Sequence, residues 1–389
     1  MNIEPAPPTM RYWKAASAFV CLVILLSNVW TISRWNESRG VYDDICYLRQ
    51  AHLFQRFGLA GFDTDISRDD DGYLAAKLRE INFPADDPPP CHTPMPATKK
   101  LVIQYPPGTG MALALFPQGH QVVPMYVTAT IILFGFTLLG VFAAQSAAST
   151  ISTALFGCLA LYNMVSPVKA SYSMAPTMAV CALAGFLTAR LFGGRQRDSR
   201  IGLTILLGFL LGLSVSFRLA NLFLSAGYFL FFLVAFLSSR KMAIALRGVT
   251  FGVAYLVGLS PTLIANAINA GSPIATTYGA PDVLPPEFAF SVIWRYVDDM
   301  QFVLLFLAGA SIAWLLRTRS DRGVRRVALV TVANMIVNLA FFLSHPVFTP
   351  YYLIPIAMLS LWSVAFAALM RPTEVVDESL VGQAANARS

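Results

Sequence analysis

Asp43 and Asp44 stand side by side a few residues beyond an apolar run at 15–32, and Tyr47 follows them. Carboxylates held where a chain leaves a membrane can take a proton from a hydroxyl, or hold a cation, on a substrate that arrives in the lipid. A bare span has no need of them there. The plain structural alternative is capping: side-chain oxygens accept backbone N–H groups at a helix start, where negative charge meets the helix dipole. On a helix Asp43 and Tyr47, four apart, share a face, while Asp44 points about 100° away. Arg218 is the second notable charge, because it interrupts an otherwise apolar stretch. An ionisable group in such a place commonly serves a function; its plain alternative is snorkelling to lipid headgroups. Lys169, Arg295 and His345 are further candidates for binding an anion such as phosphate, or else interfacial anchors and a turn cap.

The elements that position these groups are membrane helices. Hydrophobic residues make up 56% of the 389-residue chain and charged residues 13%, against about 25% charge in a soluble domain. The first apolar run is long enough to cross, and no small-residue cleavage site follows it, so it reads as a retained helix and not a removed signal. Ten spans are expected, at 14–33, 122–144, 151–168, 171–192, 201–217, 219–238, 248–268, 300–316, 327–344 and 347–370. The formal net charge of +7 is no nucleic-acid signature. Its arginines and lysines fall at 190–200, 240–247 and 317–326, as cytoplasmic loops require, and Arg11 and Lys14 put the N-terminus on the same side. Residues 201–238 as one helix would run about 57 Å, against a hydrocarbon core of about 30 Å. Two crossings that reverse at Arg218 fit better. The organisation is therefore 1–33, N-terminus and first span; 34–121, a large outer loop; 122–370, the helix bundle; and 371–389, a tail expected to be disordered.

All four histidines and both acidic runs, Asp63-x-Asp65 and Asp69-Asp70-Asp71, fall on the outer side. The outer loop holds 11 acids and 9 bases. Asp44–Phe57 has Ile45, Leu48, His52, Leu53 and Phe57 at helical spacing, with Arg49 and Arg56 elsewhere, so an amphipathic helix lying along the membrane is expected. Gly72–Ile81 reads as a second short helix. Gly108–Phe116, opened by Pro106-Pro107 and closed by Pro117, reads as a half-inserted segment. Cys46 and Cys91 either form a disulfide in an oxidising compartment or remain free thiols. Within the outer loop at 269–299, a Pro-Gly stretch around 279–287 with Asp282, Glu287 and Trp294-Arg295-Tyr296 reads as a contact for the acceptor or the donor sugar, or as a carrier of interfacial aromatics.

In order along the chain, the residues resemble the GT-C superfamily of membrane glycosyltransferases, in the style of bacterial protein-mannosyltransferases and aminoarabinose transferases. The acidic motif Asp-Glu-x-x-Tyr of that group is matched by Asp43-Asp44-Ile45-Cys46-Tyr47, with Asp at the second position. Tyr105-Pro106-Pro107-Gly108 matches a Tyr-Pro-Pro-Gly before an interfacial helix. Asn266 to Tyr278 resembles an "N…GSP…T.Y" stretch. Tyr351-Tyr352-Leu353-Ile354-Pro355 resembles a late "RY.LP" motif, with Tyr351 where Arg is usual.

The resemblance implies an all-α integral membrane fold and a catalyst that moves a sugar from a polyprenyl-phosphate donor to a glycolipid, polysaccharide or protein on the outer face, with inversion. It makes Asp43 the general base and Asp44 a helper, metal ligand or cap. The candidates for the donor phosphate are then Arg218, Lys169, Arg295 and His345, with Tyr105, and those for the substrate are Tyr47, Tyr278 and Tyr352. No cofactor is required; magnesium or manganese, if used, would sit on the acidic runs. The expected location is a bacterial inner membrane with the site facing the periplasm. The lack of an appended soluble domain argues for a small or lipid-borne acceptor. The competing readings are a transporter or flippase of a lipid-linked or anionic solute, and a scaffold that binds lipid-linked sugar without turnover. Nearly charge-free spans favour the enzyme, because transporters place ionisable groups at mid-membrane.

Overall fold

A computed structural model describes residues 8–37, 42–84, 86–165, 171–193, 200–279, 285–318, 321–345, 348–349 and 351–369, with the side chains of residues 8, 42 and 43 excepted. The helices are α1 (Pro8–Ile32), α2 (Tyr42–Phe57), α3 (Tyr73–Glu80), α4 (Gly108–Ala114), α5 (Val122–Ala143), α6 (Ala147–Val165), α7 (Met174–Gly193), α8 (Ile201–Phe217), α9 (Ala226–Ser239), α10 (Met242–Ala270), α11 (Phe290–Asp298), α12 (Met300–Thr318), α13 (Arg322–Ser344) and α14 (Ile354–Ala368). Two strands, β1 (His92–Met95) and β2 (Lys100–Ile103), form an antiparallel hairpin with His92 opposite Ile103.

Eight helical stretches are long and apolar enough to cross a membrane: α1, α5, α6, α7, the run Leu219–Ser239, α10, α12 and α13. The two shorter apolar helices, α8 and α14, fall where two further spans are expected. The bundle is layered around α7, which buries 72% of its apolar window against 28–44% for the other seven. α14 is buried along nearly its whole length beside it. Outer helices leave large apolar side chains bare, among them Phe19, Leu26, Leu233, Val257, Phe306 and Ile336. Water would not support so wide an apolar surface, and lipid does.

The chain does reverse at Arg218. Gly208 packs on Phe251 and Gly212 on Tyr255, so α8 and α10 run parallel. Phe229 meets Tyr255 and Phe232 meets Gly248, so α9 runs against α10. The turn between α8 and α9 is extended at Arg218 and continues as a 3-10 segment, Leu219–Ser225. The α8–α10 seam depends on missing side chains. A Cβ on Gly212 would overlap the Tyr255 carbonyl, and one on Gly258 the Phe209 carbonyl. Small residues let membrane helices approach through their backbones, where packing replaces the hydrophobic drive.

Three expectations need correction, and one element is new. α2 does not keep a solvated polar face: Asp44 to Ala51, Leu53 and Phe54 are all buried, Arg49 included. The outer layer folds over its polar face. The outer loop also contains the β1–β2 hairpin, an element that no expectation covered. The loop at 269–299 contains α11, which buries Val292 and Tyr296 and exposes Trp294 and Arg295. Finally α10 and α13 begin inside the expected basic loops, so Arg247, Arg325 and Arg326 are helical. Arginine is a good helix former whose long side chain reaches water from a terminal turn, and the Asp321 carboxylate caps α13 by accepting the Gly323 N–H at 2.6 Å. The expected tail 371–389 lies outside the described residues.

Gly212→Leu should destabilise the protein by about 1–3 kcal/mol or more, whereas Gly135→Ala, with nothing within 4 Å of the added carbon, should be neutral. Melting of both variants in detergent, followed by fluorescence-detected size exclusion, tests the seam; equal melting would refute it.

Candidate functional site

The outer layer is assembled around one buried guanidinium. Arg49 of α2 is 0% exposed. Its Nε donates to Asp70 Oδ2 at 2.9 Å, Nη1 to the Thr64 carbonyl and His92 Nε2 at 3.1 Å each, and Nη2 to the carbonyls of Asp65 at 3.1 Å and Ile66 at 3.4 Å. A guanidinium has five N–H donors in a fixed fork, and all five are used. His92 completes the geometry. Its Nδ1–H donates to the Pro90 carbonyl at 2.7 Å, leaving Nε2 as the acceptor facing Arg49. Burial, with Arg49 adding to it, holds the ring neutral and depresses its pKa to about 4.

The acidic runs are absorbed by the same layer. Asp63 pairs with Lys100 at 3.0 Å and with Arg68, and Asp69 and Asp71 both pair with Arg56. Asp65 accepts Ser67 Oγ–H and the Leu101 N–H. Hydrogen bonds from Ser67 and from backbone amides carry its carboxyl below the usual range, although its partial burial opposes them. Cys46 and Cys91 form a disulfide, with Cα atoms 6.5 Å apart, that ties α2 to the strand hairpin. With His92 these sulfurs make the kind of cluster that can hold a metal, but the S–S bond uses both.

Asn269, at the end of α10, straps the layer to the bundle. Its Oδ1 accepts the Thr64 N–H at 3.0 Å, its Nδ2 donates to the Phe62 carbonyl at 2.8 Å, and its own carbonyl accepts Thr98 Oγ1–H at 2.6 Å. Asn269, within the Asn266–Tyr278 motif, therefore performs docking. The glycine of Tyr105-Pro106-Pro107-Gly108 has a similar reason: a Cβ at Gly108 would sit 2.7 Å from the Ser216 backbone of α8. Thr109 Oγ1 donates to the Phe217 carbonyl at 3.0 Å in the same contact.

These supports place the predicted residues in two groups. The first surrounds the start of α2. Asp43 is in the first helical turn, but its side chain lies outside the described residues. Asp44 is 1% exposed, and its Oδ1 accepts the Tyr172 N–H at 3.1 Å. That bond ties the carboxylate to the turn before α7. Tyr47 stacks on Tyr105 with ring centres 4.9 Å apart, and Tyr105 meets Tyr278 edge-on at 6.1 Å. Gln50 Nε2 fixes the Tyr105 carbonyl at 2.9 Å, Gln104 Nε2 its hydroxyl at 3.1 Å, and Thr277 Oγ1–H reaches the Gln104 carbonyl at 2.8 Å. Three tyrosines distant in sequence thus form one line, with Tyr105 and Tyr278 only half-buried.

The second group surrounds Arg218, which is 5% exposed. Its guanidinium carbon lies 4.3 Å from the Tyr351 ring centre and 4.5 Å from that of Tyr352. Nη1 donates to the Tyr351 carbonyl at 3.3 Å and approaches Met174 Sδ at 3.5 Å. Nη2 is buried with no hydrogen-bond partner among the described residues. Two residues further along the same segment, Gln301 Oε1 accepts the Leu353 N–H at 2.9 Å, and Gln301 Nε2 is likewise buried without a partner among the described residues. Two orphaned donors therefore flank the Tyr351–Leu353 turn. A buried donor left unsatisfied costs about 1–3 kcal/mol, which an anion can recover. The short segment Tyr172–Met174 joins the two groups, touching Asp44 at one end and Arg218 at the other.

The remaining candidates are spread more widely. His345 stacks on Phe341 at 5.9 Å, and neighbouring Phe342 packs on Tyr352. Arg295 is exposed on the outer side of α11, away from Tyr296, whose hydroxyl accepts the Thr349 N–H at 3.3 Å. Lys169 lies outside the described residues. Gln301, Asn269 and Arg49 were not singled out from the sequence as site or support residues. Gln301 has a faint signal, as a polar residue in the first turn of an apolar helix; Arg49 has none, because its spacing matches a solvated face.

No protein-family model matches the chain, and neither a curated protein nor a solved structure matches it.

Two outcomes follow for the support. Arg49→Ala strands Asp70 in the outer layer and should cost about 3–5 kcal/mol, read as a fall in melting temperature. An unfolded chain protonates His92 near its ordinary 6.5, and the folded chain only near 4. Between those values the unfolded state binds more protons, so stability is full above about pH 6.5 and falls as pH drops towards 4. The slope of melting temperature with pH should be smaller in His92→Gln, and equal slopes would exclude His92 as its source. For the disulfide, alkylation before reduction should leave Cys46 and Cys91 unlabelled and alkylation after reduction should label both, with a loss of about 2–4 kcal/mol on opening the bond.

Proposed function

We propose that this chain is a GT-C-type glycosyltransferase, with ten spans and an outer catalytic layer, that moves a sugar from a polyprenyl-phosphate carrier to an acceptor hydroxyl. The observation that carries this reading is the pair of orphaned buried donors, Arg218 Nη2 and Gln301 Nε2, one short segment away from Asp44. A phosphate leaving group needs donors already aimed at its developing charge in a desolvated place, and such preorganisation is commonly the largest catalytic term. The half-buried rings of Tyr105 and Tyr278, backed by Tyr47, offer aromatic surface to a sugar.

In the proposed step the Asp43 carboxylate takes the acceptor O–H proton. The acceptor oxygen bonds to the anomeric carbon from the face opposite the phosphate, and the carbon–oxygen bond to phosphate breaks with its electron pair going to the phosphate. Arg218 and Gln301 receive that charge. Asp44 fixes the Tyr172 turn and so positions the two halves of the site. The Cys46–Cys91 disulfide supports an oxidising outer compartment, as a bacterial periplasm provides. Placement of Arg218 at a helix end, and not at mid-span, favours this enzyme over a transporter.

Membranes holding the wild type, Asp43→Asn or Arg218→Gln, offered a panel of radiolabelled polyprenyl-phosphate sugars, test the proposal. Transfer should fall about 10²–10⁴-fold on loss of the base and about 10²–10³-fold on loss of the guanidinium, while Gly135→Ala, which meets nothing within 4 Å, stays near wild type. Carrier binding without transfer from any donor would overturn the enzyme and leave a carrier-binding or transport protein.

A further inference from the structure

At the end of the bundle away from the outer layer, a cavity of about 120 Å³ opens among the ends of α7, α8, α9, α10 and α13. That is room for several waters. Its wall is apolar, with Leu191 and Phe192 from α7 and Phe231 and Phe232 from α9, and its rim carries Arg200, Arg247 and Arg326. The rule that basic residues gather on one side of a membrane accounts for the side on which these arginines lie. It does not account for three of them, from three helix ends, converging on one cavity.

The rim is built. Arg200 Nη1 donates to the carbonyls of Arg190 at 3.0 Å and Leu191 at 2.8 Å, which anchors its charge over the last turn of α7. Burial and the nearby Arg247 and Arg190 charges lower its pKa, so like charges crowd there. Neither Arg247 nor Arg326 forms an ion pair among the described residues. An anion would relieve the repulsion. Guanidinium forks match phosphate oxygens, and a phenyl wall beside them suits an acyl chain better than a soluble ion. Basic pockets between spanning helices take acidic lipid headgroups on this physical basis.

We propose that the Arg200–Arg247–Arg326 cavity binds the phosphate headgroup of an anionic phospholipid, with an acyl chain along the Phe231–Phe232 wall. The test is native mass spectrometry of the full chain released from bilayers of equal parts phosphatidylglycerol and phosphatidylcholine. The wild type should retain phosphatidylglycerol in preference. Arg247→Gln/Arg326→Gln should lower that retention roughly tenfold or more, whereas Arg322→Gln, exposed on the same α13 but outside the lining, should leave it unchanged. The exposed single variant Arg326→Gln, with an intact melt in phosphatidylcholine, gives a partial loss and guards against misfolding of the double variant. Equal retention of the two lipids, an unaffected double variant, or an equal loss from Arg322→Gln would overturn the site. Inorganic phosphate that stabilises the wild type as well as phosphatidylglycerol does would overturn the lipid and assign the cavity to a soluble phosphate.

Discussion

The outer half of this protein depends on the burial of Arg49. A guanidinium withdrawn from water is tolerated only when its charge is paired and its donors are used, and here one carboxylate, one imidazole and three carbonyls do this. Removing a buried pair altogether is often neutral, so its contribution is geometric more than energetic. Five acceptors from two separate segments must sit at fixed angles around one plane. That requirement folds residues 63–70 over α2, seats the hairpin through His92, and leaves α2 one orientation. The direction in which Asp44 and Tyr47 point follows from it.

A second constraint comes from the bilayer. Within it, water cannot satisfy polar groups, so helices carry the chain and irregular backbone is confined to their ends. The reversal at Arg218 obeys this rule. The extended residue and the 3-10 turn stand at the outer ends of α7, α8 and α14, where the guanidinium finds two aromatic faces and a carbonyl. The α8–α10 seam allows the reversal, because backbone contact at Gly212 and Gly258 draws the parallel helices together and leaves α9 to pack on their flank. The bundle and the outer layer then meet at Gly108 and Asn269, one a close approach and the other a polar strap.

Much of the site was legible because its residues break a local pattern. Asp43-Asp44 after an apolar run, Arg218 inside one, and Tyr105 before two prolines are each anomalous within a window of a few residues. The tyrosines were legible as candidates but not as a line, since Tyr47, Tyr105 and Tyr278 meet only after three segments dock. Arg49 obeys the local pattern and so was invisible: on a helix of mixed polarity it reads as solvated, and only a covering loop buries it. Gln301 and Asn269 were hidden for the same reason, as their roles lie in partners 52 and 205 residues away. The helix α11 was masked by the prolines and glycines that precede it.

The sequence by itself determined the solvent, the helical class, the places of the membrane-length segments and the side on which charge gathers. Each of these rests on hydropathy and charge summed over adjacent residues, which no later packing can reverse. Only the tertiary structure decided which face of α2 is buried, that Cys46 and Cys91 are bonded, that the acidic runs are consumed by neighbouring bases, and that three arginines share one cavity. Those facts depend on the distance between groups far apart in the chain. Such distances are set by the fit of helix against helix and by the pairing of buried polar atoms, and local composition carries neither.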